Sequence, residues 1–503
     1  MLGNPPYVRQ ERLGAETKRA LSKRYEVYKS AADLFAYFFE RGLRQLKQGG
    51  RLGYICSSTF FKTSSGATLR KYIAMNSLIE TMIDFGDHQV FEGVTTYPAV
   101  MILNKVEPTK GPHTKFWNID VMPEGNFSAG FAAHSKGYDQ SNLNEKAWKF
   151  EDAKLVALRQ KLTKDRKTLK EVYGSPRYGI KTGRNEAFVV NRATRDALVK
   201  ADVRTLERLQ PWLVGRDLQK WRAEPQDQYL IFFPKGWTQK AFGVLSESEA
   251  WERLEKEFPA LAAHLFQFAE VCRKRSDQGD YWWELRACDY YDEFEKVKIV
   301  YPEFSQGPKF SRRLDNTMFN NKVFFLPLSD MSLLSLLNSK VIWSYLTAIC
   351  AAMRGGIWRL ELRTQYIDTV PIPSMTENEK QSLSLVAEEA LKASEELVSI
   401  RSSFERRIPD LVQEGHAPKL TTKLKNWDRL LNFSEFQKEI KKAFKTDIPL
   451  KDRSEWQDYF ETERAKIIEL YGQIAAAQIK IDTIVYDLFN LTSEEITLIE
   501  ANT

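Results

Sequence analysis

Two hydrophobic periods alternate along the first 110 residues. Apolar side chains recur at helical spacing over 31–46 (AADLFAYFFERGLRQL), and Gln48-Gly49-Gly50 is a stop signal for that helix. Short apolar runs at 51–57 (RLGYICS), 78–85 (LIETMIDF) and 97–103 (YPAVMIL) are typical of strands, and 68–75 between the first two is helical in pattern. This alternation predicts a mostly parallel sheet with helices on its faces.

The remainder of the chain changes character twice. Residues 111–172 are irregular at first and then become a charged helix, and 173–374 combine many short strands with turn signals. From 375 onward two apolar seams repeat at spacings of three and four residues, which predicts a helical hairpin packed like a coiled coil. Residues 409–460 would be inserted between its arms, and Thr492 with Glu495 predicts a capping box that opens a last short helix. The two seams are Leu383, Val386, Ala390, Ala393, Leu397, Ile400 and Phe404, and Ile467, Leu470, Ile474, Ala477, Ile481, Ile484 and Leu488.

Composition narrows the class of protein only slightly. Of the 503 residues, 43% are hydrophobic and 28% are charged, which is ordinary for a globular chain of two or three domains. The net charge of +7 permits a nucleic-acid partner without requiring one. The four cysteines show no CxxC spacing, which argues against zinc or a disulfide framework and fits a reducing cytoplasm. No histidine has a partner at metal-ligand spacing and no apolar run reaches roughly 18 residues, so we expect neither a metal nor a membrane.

The sharpest local signal is Asn4-Pro5-Pro6-Tyr7. An exocyclic adenine amino group is a weak nucleophile because its lone pair is delocalised into the ring, so a methyl-transfer site must hold both N–H bonds. The side-chain oxygen of Asn4 would accept one N–H and the carbonyl of Pro5 the other, and Pro5 and Pro6 together fix the backbone. The ring of Tyr7 offers a flat face to a base flipped out of a duplex. The alternative is a chance turn, because such a tetrapeptide occurs in roughly a few per cent of chains this long.

The segments that follow are in the order typical of a known family. They are an acidic–leucine–aromatic helix start, a GG turn, an apolar strand, an LR-containing helix, an acidic strand end with a later Val-Phe, and a closing apolar strand. In this chain they are Asp33-Leu34-Phe35, Gly49-Gly50, RLGYICSSTFF, Leu69-Arg70-Lys71-Tyr72, Ile83-Asp84-Phe85-Gly86 with Val90-Phe91, and Pro98 to Leu103. The first 110 residues therefore resemble the gamma-class adenine-N6 DNA methyltransferases, the TaqI-like and Type IIG enzymes of restriction–modification systems.

The resemblance implies a methyl donor and two further site residues. These enzymes use S-adenosyl-L-methionine. Phe91 would lie on the face of the flipped adenine opposite Tyr7, and Phe38 would lie near the adenine ring of the donor. The alternative for each phenylalanine is a place in the core.

In this family the glycine-rich cofactor motif precedes NPPY, whereas only Met1-Leu2-Gly3 precede Asn4 here. We therefore expect the main cofactor-binding motif to be absent from this chain, and the strand at 51–57 to have an unpaired edge. The chain would then be a fragment, the product of a shortened reading frame, or one half of a split enzyme. Its partners would include double-stranded DNA and a missing N-terminal methyltransferase half or a nuclease chain.

Residues 173–374 resemble the TaqI-like C-terminal specificity domain. Six pieces occur in order, namely 179–188 (GIKTGRNEAF), 213–217 (LVGRD), 281–286 (YWWELR), 298–302 (KIVYP), 336–340 (LLNSK) and 370–373 (VPIP). Basic residues in or beside its loops are candidates for DNA binding, because Arg bonds guanine edges and Lys mostly meets phosphate. The alternative is a solvated surface charge, and Arg354 is the strongest candidate because Gly355-Gly356 let the backbone approach DNA closely. The candidates are Lys181, Arg184, Arg216, Lys309, Arg312, Arg313, Arg354 and Arg359.

The sequence thus predicts an α/β + α chain in four parts. These are the C-terminal half of a Rossmann-like methyltransferase sheet at 1–110, a connector at 111–172, a mixed α+β recognition domain at 173–374, and a helical spacer at 375–503. The predicted function is site-specific adenine-N6 DNA methylation in a restriction–modification or related defence system, by a chain that is incomplete on its own. Two alternatives stay open, a non-catalytic DNA-specificity subunit and an inactive fragment that lacks the S-adenosylmethionine motif.

Overall fold

The computed structural model is a mixed α/β structure with several sheets and many helices. It describes residues 1–86, 88, 90–91, 97–119, 122–123, 125–148, 153–224, 227–353, 359–411, 420–501 and 503. These residues divide into two compact units, Met1–Val156 and Ala157–Thr503.

The first unit is built around one sheet. Its helices are α1 (Ala15–Arg24), α2 (Phe35–Gln45), α3 (Ala67–Asn76) and α4 (Phe127–His134). Its strands are β1 (Leu2–Gly3), β2 (Arg51–Ser57), β3 (Leu78–Asp84), β4 (Pro98–Asn104), β5 (Thr114–Asn118) and β6 (Lys136–Tyr138).

Strand directions in this sheet are mixed. The order among the described residues is β1-β2-β4-β3-β5-β6. β1 is parallel to β2 and β3 is parallel to β5, whereas β4 runs antiparallel between β2 and β3, and β6 is antiparallel to β5. The prediction of a mostly parallel sheet therefore agrees with the common direction of β1, β2, β3 and β5 but not with β4 and β6. No helix in the described residues separates β3 from β4, so the chain returns beside β3 in the opposite direction.

The expected unpaired edge of β2 is contradicted for only part of the strand, at Gly53 and Tyr54. Leu2 pairs with Gly53 and Gly3 pairs with Tyr54, because the residues ahead of Asn4 are extended and lie beside β2. The apolar faces of α2 and α3 cover the sheet, with Phe39 and Ile73 fully buried against Leu52.

Residues 111–148 belong to the first unit and do not form a simple connector. β5 and β6 extend the sheet, and the buried side chain of Gln140 accepts a hydrogen bond from the Ile79 amide at 2.7 Å. The buried guanidinium of Arg70 donates to the carbonyls of Lys146 at 2.8 Å, Glu145 at 2.7 Å and Thr63 at 2.8 Å, and also to Phe60. Short polar strands of this kind carry little hydrophobic periodicity, so the sequence pattern indicated an irregular segment.

The second unit begins within α5 and has many short elements. Its helices are α5 (Ala153–Thr163), α6 (Leu169–Tyr173), α7 (Asn185–Phe188), α8 (Arg192–Ala201), α9 (Trp237–Phe242), α10 (Glu247–Glu257), α11 (Pro259–Phe266), α12 (Ala269–Arg273), α13 (Met331–Leu337), α14 (Lys340–Ile349), α15 (Thr364–Ile367), α16 (Glu377–Arg407), α17 (Thr422–Lys425), α18 (Phe433–Phe444), α19 (Leu450–Leu488) and α20 (Ser493–Ala501). Its strands are β7 (Lys167–Thr168), β8 (Arg177–Tyr178), β9 (Val189–Asn191), β10 (Leu209–Leu213), β11 (Leu218–Gln219), β12 (Arg222–Ala223), β13 (Gln228–Ile231), β14 (Lys298–Pro302), β15 (Phe304–Ser305), β16 (Ser311–Arg313), β17 (Met318–Phe319), β18 (Val323–Leu326), β19 (Ala351–Met353), β20 (Arg359–Glu361) and β21 (Pro371–Ile372).

Two four-stranded sheets organise its first half, in the orders β17-β10-β13-β9 and β16-β14-β18-β8. A core of aromatic side chains that includes Trp212, Trp282 and Trp283 lies among these sheets and α10 and α11. Lys298 is also fully buried, and its ammonium donates to the carbonyls of Lys296 at 2.9 Å, Asp315 at 2.7 Å and Phe294. Burial lowers the pKa of Lys298 to about 8.

The two apolar seams form the long helices α16 and α19, which pack against each other. The inner part of the hairpin shares one core with β14, β18, α13 and α14, and the outer part packs on α17 and α18. The insertion is shorter than predicted, because α16 ends at Arg407 and α19 begins at Leu450. The capping box at α20 is confirmed, since the Thr492 amide donates to Glu495 at 2.8 Å and the Glu495 amide to Thr492 Oγ1 at 3.3 Å.

Within the described ranges, no helix combines the length and the apolar character that are needed to cross a bilayer.

Phe404 should dominate the stability of the outer hairpin. Its ring is fully buried and stacks on Trp427, with centroids 3.8 Å apart, and on Tyr459, with centroids 5.0 Å apart. We expect Phe404→Ala to cost about 3–5 kcal/mol, because it leaves a cavity among aromatic rings. Hydrogen–deuterium exchange should show faster exchange in α16, α18 and α19. Leu385→Ala on the same helix is the control, since Leu385 is 56% exposed and its loss should cost less than about 0.5 kcal/mol. Equal protection of α18 in both variants would contradict this account.

Candidate functional site

The NPPY segment follows directly from β1. β1 ends at Gly3 and is parallel to β2, so residues 4–7 leave the sheet at the edge where β2 ends at Ser57. β3 is also parallel to β2, since both are antiparallel to β4, and it ends at Asp84 on that edge. Ligand sites of open α/β sheets form outside the carboxyl ends of their parallel strands.

Glycines lie on both strands where β1 and β2 pair. A Cβ added to Gly53 would lie 2.6 Å from Leu2 Cδ2, and one added to Gly3 would lie 3.0 Å from Tyr54 Cε1. The atom that a Cβ at Gly53 would meet is the end of the exposed Leu2 side chain, which can rotate away, so the strand that leads into Asn4 is positioned by its backbone pairing with β2.

The four residues of the motif differ in exposure. Asn4 and Pro6 are exposed, Pro5 is buried and Tyr7 is half-buried. Among the described residues, the Asn4 side chain has no hydrogen-bond partner, and the buried hydroxyl of Tyr7 has none either. Burial, with a smaller contribution from Cys56, raises the pKa of Tyr7 to about 12, so its phenol stays protonated at neutral pH. Burial and the charge of Asp84 raise the pKa of the Cys56 thiol as well.

The chain that follows the motif is held against the start of α2. The Leu34 amide donates to the Val8 carbonyl at 3.0 Å, and the Gln10 amide donates to Asp33 Oδ1 at 2.9 Å. The acidic–leucine–aromatic start of α2 therefore anchors residues 8–10 and fixes the exit of the NPPY segment. These bonds also explain why the helix begins at Phe35, later than its apolar pattern indicated.

The two phenylalanines that the resemblance singled out lie in different settings. Phe38 is 39% exposed on α2, although its neighbours Tyr37 and Phe39 are buried. The alternative of a core position for Phe38 is therefore wrong, because the residue lies on the solvent side of the helix. Phe91 is half-buried, next to Val90, which packs on Phe85. The roles predicted for both rings stay predictions.

The second unit contains a cleft of about 760 Å³ that gathers distant parts of the chain. Three of the predicted DNA-binding residues, Arg216, Lys309 and Arg359, line it. Lys322 is a fourth cation in the lining, where Glu186 supplies a carboxylate. The lining also includes the amides Asn185, Gln228, Gln306 and Asn320 and the rings of Trp212 and Phe304. Cations, amides and flat rings are the groups that contact phosphates, base edges and base faces.

Arg216 is presented by a short turn with a buried carboxylate. Asp217 is buried, and its Oδ2 accepts a hydrogen bond from the Val214 amide at 2.9 Å, which closes the turn. The side chain of Arg216 stays 74% exposed, with Nε 3.8 Å from Asp217 Oδ1. The LVGRD piece therefore builds a fixed turn with an exposed guanidinium at one wall of the cleft.

Four of the other predicted cations do not line the cleft. Lys181 forms an ion pair with Asp277 at 2.9 Å, and Arg184 is exposed immediately before α7. Arg312 lies against Met331 Sδ at 3.4 Å, and Arg313 forms an ion pair with Asp315. Arg354 lies outside the described residues.

Sequence reasoning missed the buried groups that hold the cleft loops. Arg275 donates to the carbonyls of Asp277 at 2.9 Å and Trp282 at 2.8 Å, and also to Thr182 and Glu284. The carboxylate of Glu284 accepts hydrogen bonds from the amides of Thr238 at 2.8 Å and Asp280 at 2.9 Å. Neither residue has a signal of its own in a single sequence, because the partners are backbone atoms from remote loops.

In the part of the chain that the structure describes, no three His, Cys, Asp or Glu side chains come together as metal ligands.

Comparison with known families assigns three segments. Residues 1–91 match the Eco57I restriction-modification methylase family, and residues 210–372 match the TaqI-like C-terminal specificity domain. Residues 376–485 match a domain of unknown function.

Individual relatives agree with these matches. Over 108 residues the chain is 41% identical to the "Type II restriction enzyme and methyltransferase RM.Eco57I" of Escherichia coli, which covers 21% of this chain and 11% of that protein. Over 434 residues it is 24% identical to the "Type II methyltransferase M.XhoI" of Xanthomonas vasicola, which covers 80% of this chain and 73% of that one. The chain is related to the Type II methyltransferases of restriction–modification systems. The resemblance stated from the sequence is thereby confirmed.

One match among solved structures is a restriction-modification enzyme. The Type IIL restriction-modification enzyme MmeI in complex with DNA aligns with 92% of this chain and 57% of its own, at 12% identity and a TM-score of 0.48. The chain thus spans about a tenth of the Escherichia coli relative, roughly three quarters of the Xanthomonas one and little more than half of this structure.

Loss of Arg275 should loosen the loop at 179–184. The substitution Arg275→Leu leaves several buried carbonyls without a donor, and we expect it to cost about 3 kcal/mol or more. Exchange at 179–184 and 277–285 should accelerate while exchange in the first unit is unchanged. The matched control is Arg273→Leu, which breaks an exposed ion pair with Glu247 at 2.9 Å and should cost no more than about 1 kcal/mol. Similar exchange in the two variants would show that Arg275 does not hold the loop.

Proposed function

We propose that this chain takes part in site-specific methylation of adenine N6 in DNA, as the modification component of a restriction–modification system. The observation that carries the proposal is the NPPY segment at the carboxyl edge of the first-unit sheet, with an Asn4 side chain that has no partner among the described residues. The relatives that bear the name Type II methyltransferase support the same class of reaction.

The motif supplies acceptors and a flat ring. Asn4 Oδ1 and the Pro5 carbonyl would each accept one N–H of the extruded adenine, which raises electron density on the amino nitrogen and favours attack on a methyl group. Pro5 and Pro6 fix the intervening backbone, so the two acceptors are held in place before the base arrives. The Tyr7 ring would stack on the base, and its phenol stays neutral because burial raises its pKa.

S-adenosyl-L-methionine would supply the electrophilic methyl group. The exposed ring of Phe38, on a helix whose other aromatic side chains are buried, fits a contact with the adenine ring of that donor. In this proposal Phe91 covers the second face of the extruded base.

Target recognition is assigned to the cleft of the second unit. Arg216 and Arg359 would bond base edges, Lys309 and Lys322 would contact phosphate, and the amides of the lining would pair with adenine edges. Because all of these residues lie in the second unit, a non-catalytic DNA-specificity subunit remains the second candidate function. The two candidates differ in methyl transfer and agree in DNA binding.

Methylation should depend on Asn4, and the product should be N6-methyladenine. None of the four cysteines follows a proline, so the Pro-Cys nucleophile of cytosine C5 methylation is lacking. The assay measures transfer from labelled S-adenosylmethionine to DNA, by the chain alone and with the adjacent gene product, followed by nucleoside digestion. Asn4→Ala should lower kcat by about 10²–10³ while DNA binding survives. Methyl transfer by neither preparation would favour the specificity subunit, and 5-methylcytosine would refute the adenine assignment.

Two substitutions of Tyr7 distinguish the contribution of its ring from that of its hydroxyl in the same methyl-transfer assay. Tyr7→Ala should weaken capture of the flipped base by about 1–3 kcal/mol, the scale of one stacking contact. Tyr7→Phe should change it by less than about 1 kcal/mol, because the hydroxyl has no partner among the described residues. Equal losses would assign the hydroxyl, and not the ring, to the site.

The cations of the cleft should differ in their effect on DNA binding, because some contact bases and others contact phosphate. Selection from a random-sequence duplex pool should show that Arg216→Ala or Arg359→Ala relaxes preference at one base pair, at a cost of about 1–3 kcal/mol. Lys309→Ala should weaken all sequences alike. Arg204→Ala is the control, because this exposed arginine is paired with Asp202 at 2.9 Å and does not line the cleft. A cleft variant that binds and selects as the parent does would remove that residue from recognition.

A further inference from the structure

The outer end of the helical hairpin differs in charge from its arms. Residues 420–453, here called the tip, contain nine Lys and Arg against five Asp and Glu. The arms at 377–407 and 454–488 together contain eight Lys and Arg against fourteen Asp and Glu. A hairpin that only needed a solvated surface would not require this separation of charge, because mixed signs serve that purpose.

The acidic side chains of the tip are used in internal contacts. Asp428 is buried 3.1 Å from Arg401, and Glu439 is buried 3.3 Å from Lys423. Asp447 accepts a hydrogen bond from Gln437 at 2.8 Å, and Glu435 accepts one from the Leu431 amide at 3.0 Å. Two of the five tip carboxylates are thus buried beside cations, and none of the five is fully exposed.

The basic side chains face the solvent. Lys425, Arg429, Lys438, Lys441, Lys442 and Lys445 are exposed, and within the described ranges none of the six forms a salt bridge. Four of them follow the spacing 438, 441, 442 and 445, so they share one face of α18 and its C-terminal cap. The opposite face buries Phe433, Phe436 and Ile440. A favourable interaction with the dipole of α18 explains the cations at 441 and 442, which lie in its last turn, but not those at 425, 429 and 438.

The tip is connected to the recognition cleft by a chain of ionic contacts in the same unit. Arg401 donates to the Lys425 carbonyl at 3.2 Å and to Glu224 at 3.1 Å, and Glu224 accepts from Arg222 at 2.8 Å. Burial lowers the pKa of the cleft residue Lys309, and the charge of Arg222 lowers it further, so these two cations are neighbours. Arg222 and Arg401 are largely buried and paired with Glu224 and Asp428, so this network fixes the position of the tip relative to the cleft and does not itself offer positive charge to solvent.

We propose that the tip is a second DNA-binding surface, which contacts the phosphate backbone beside the duplex held in the recognition cleft. The inference rests on the proposed function of that cleft. Lysines on one face of a short helix are suited to phosphates, since an ammonium acts as a point charge with no fixed orientation. Contacts of this kind add affinity for every sequence and carry no sequence information.

The test compares two triple variants of the full chain. The tip variant is Lys438→Ala, Lys441→Ala and Lys442→Ala. The control variant is Lys392→Ala, Lys466→Ala and Lys480→Ala, which removes three exposed lysines from the arms. Both lower the net charge equally, and circular dichroism checks that both fold. Binding to a random-sequence duplex pool is measured as salt is raised from about 50 to 200 mM.

The tip variant should bind at least about tenfold more weakly at 0.1 M salt, and its plot of log affinity against log salt should be shallower by about 2 to 3. The control variant should resemble the parent, and the sequences selected by both should be unchanged. Replacement of the same three tip lysines by arginine should restore binding, because the charge returns.

Each other outcome has one meaning. A parent chain that shows no salt-dependent DNA binding overturns the proposed recognition function together with this inference. A parent that binds DNA while the tip variant binds equally well overturns only the tip, whose cations would then serve an acidic protein partner. Equal weakening of both variants assigns the effect to net charge, and a changed sequence preference would overturn the assignment to phosphates.

Discussion

Buried cations that bond to backbone carbonyls hold the loops of both units. Arg70 in the first unit and Arg275 in the second each donate to the carbonyls of remote segments, and Lys298 does so on β14. A charge removed from water must recover its hydrogen bonds, and carbonyls supply them only if several loops stay in place at once. Each buried cation therefore also fixes the loops whose carbonyls accept its hydrogen bonds. Arg275 holds the loop at 179–184, which leads into the cleft residues Asn185 and Glu186.

The two candidate sites are built on different supports. NPPY leaves a sheet directly after Leu2 and Gly3, whose backbones pair with β2. The cleft is formed by turns and strand ends, of which the turn at Arg216 is closed by the buried carboxylate of Asp217. A reaction that must hold two N–H bonds is served by the stiffer support. Reading a base sequence needs side chains that can be exchanged without altering a core, which loops permit.

Much of the fold followed from the sequence, but the opposite direction of β4 and β6 did not. Strong periodicity located α16 and α19 and the strand at 51–57, because burial on one face leaves a clear pattern. The antiparallel β4 and the pairing of Leu2 with Gly53 are contacts between distant segments, and no local pattern encodes them. Among the basic candidates, Arg216, Lys309 and Arg359 share the cleft, whereas Lys181 and Arg313 are occupied by carboxylates that only the folded chain brings near. Spacing in one sequence cannot distinguish a free cation from a paired one.

The hairpin has a consequence for how members of such a family can diverge. α19 has 39 residues and is about 58 Å long, with one end in the core of the recognition region and the other in the core of the tip. Seven residues added to each arm lengthen the hairpin by about 10 Å and keep the seam in register. On duplex DNA that step equals about three base pairs. If the tip contacts DNA as proposed, heptad insertions in both arms would change the distance between the two DNA contacts without replacing a residue in either core.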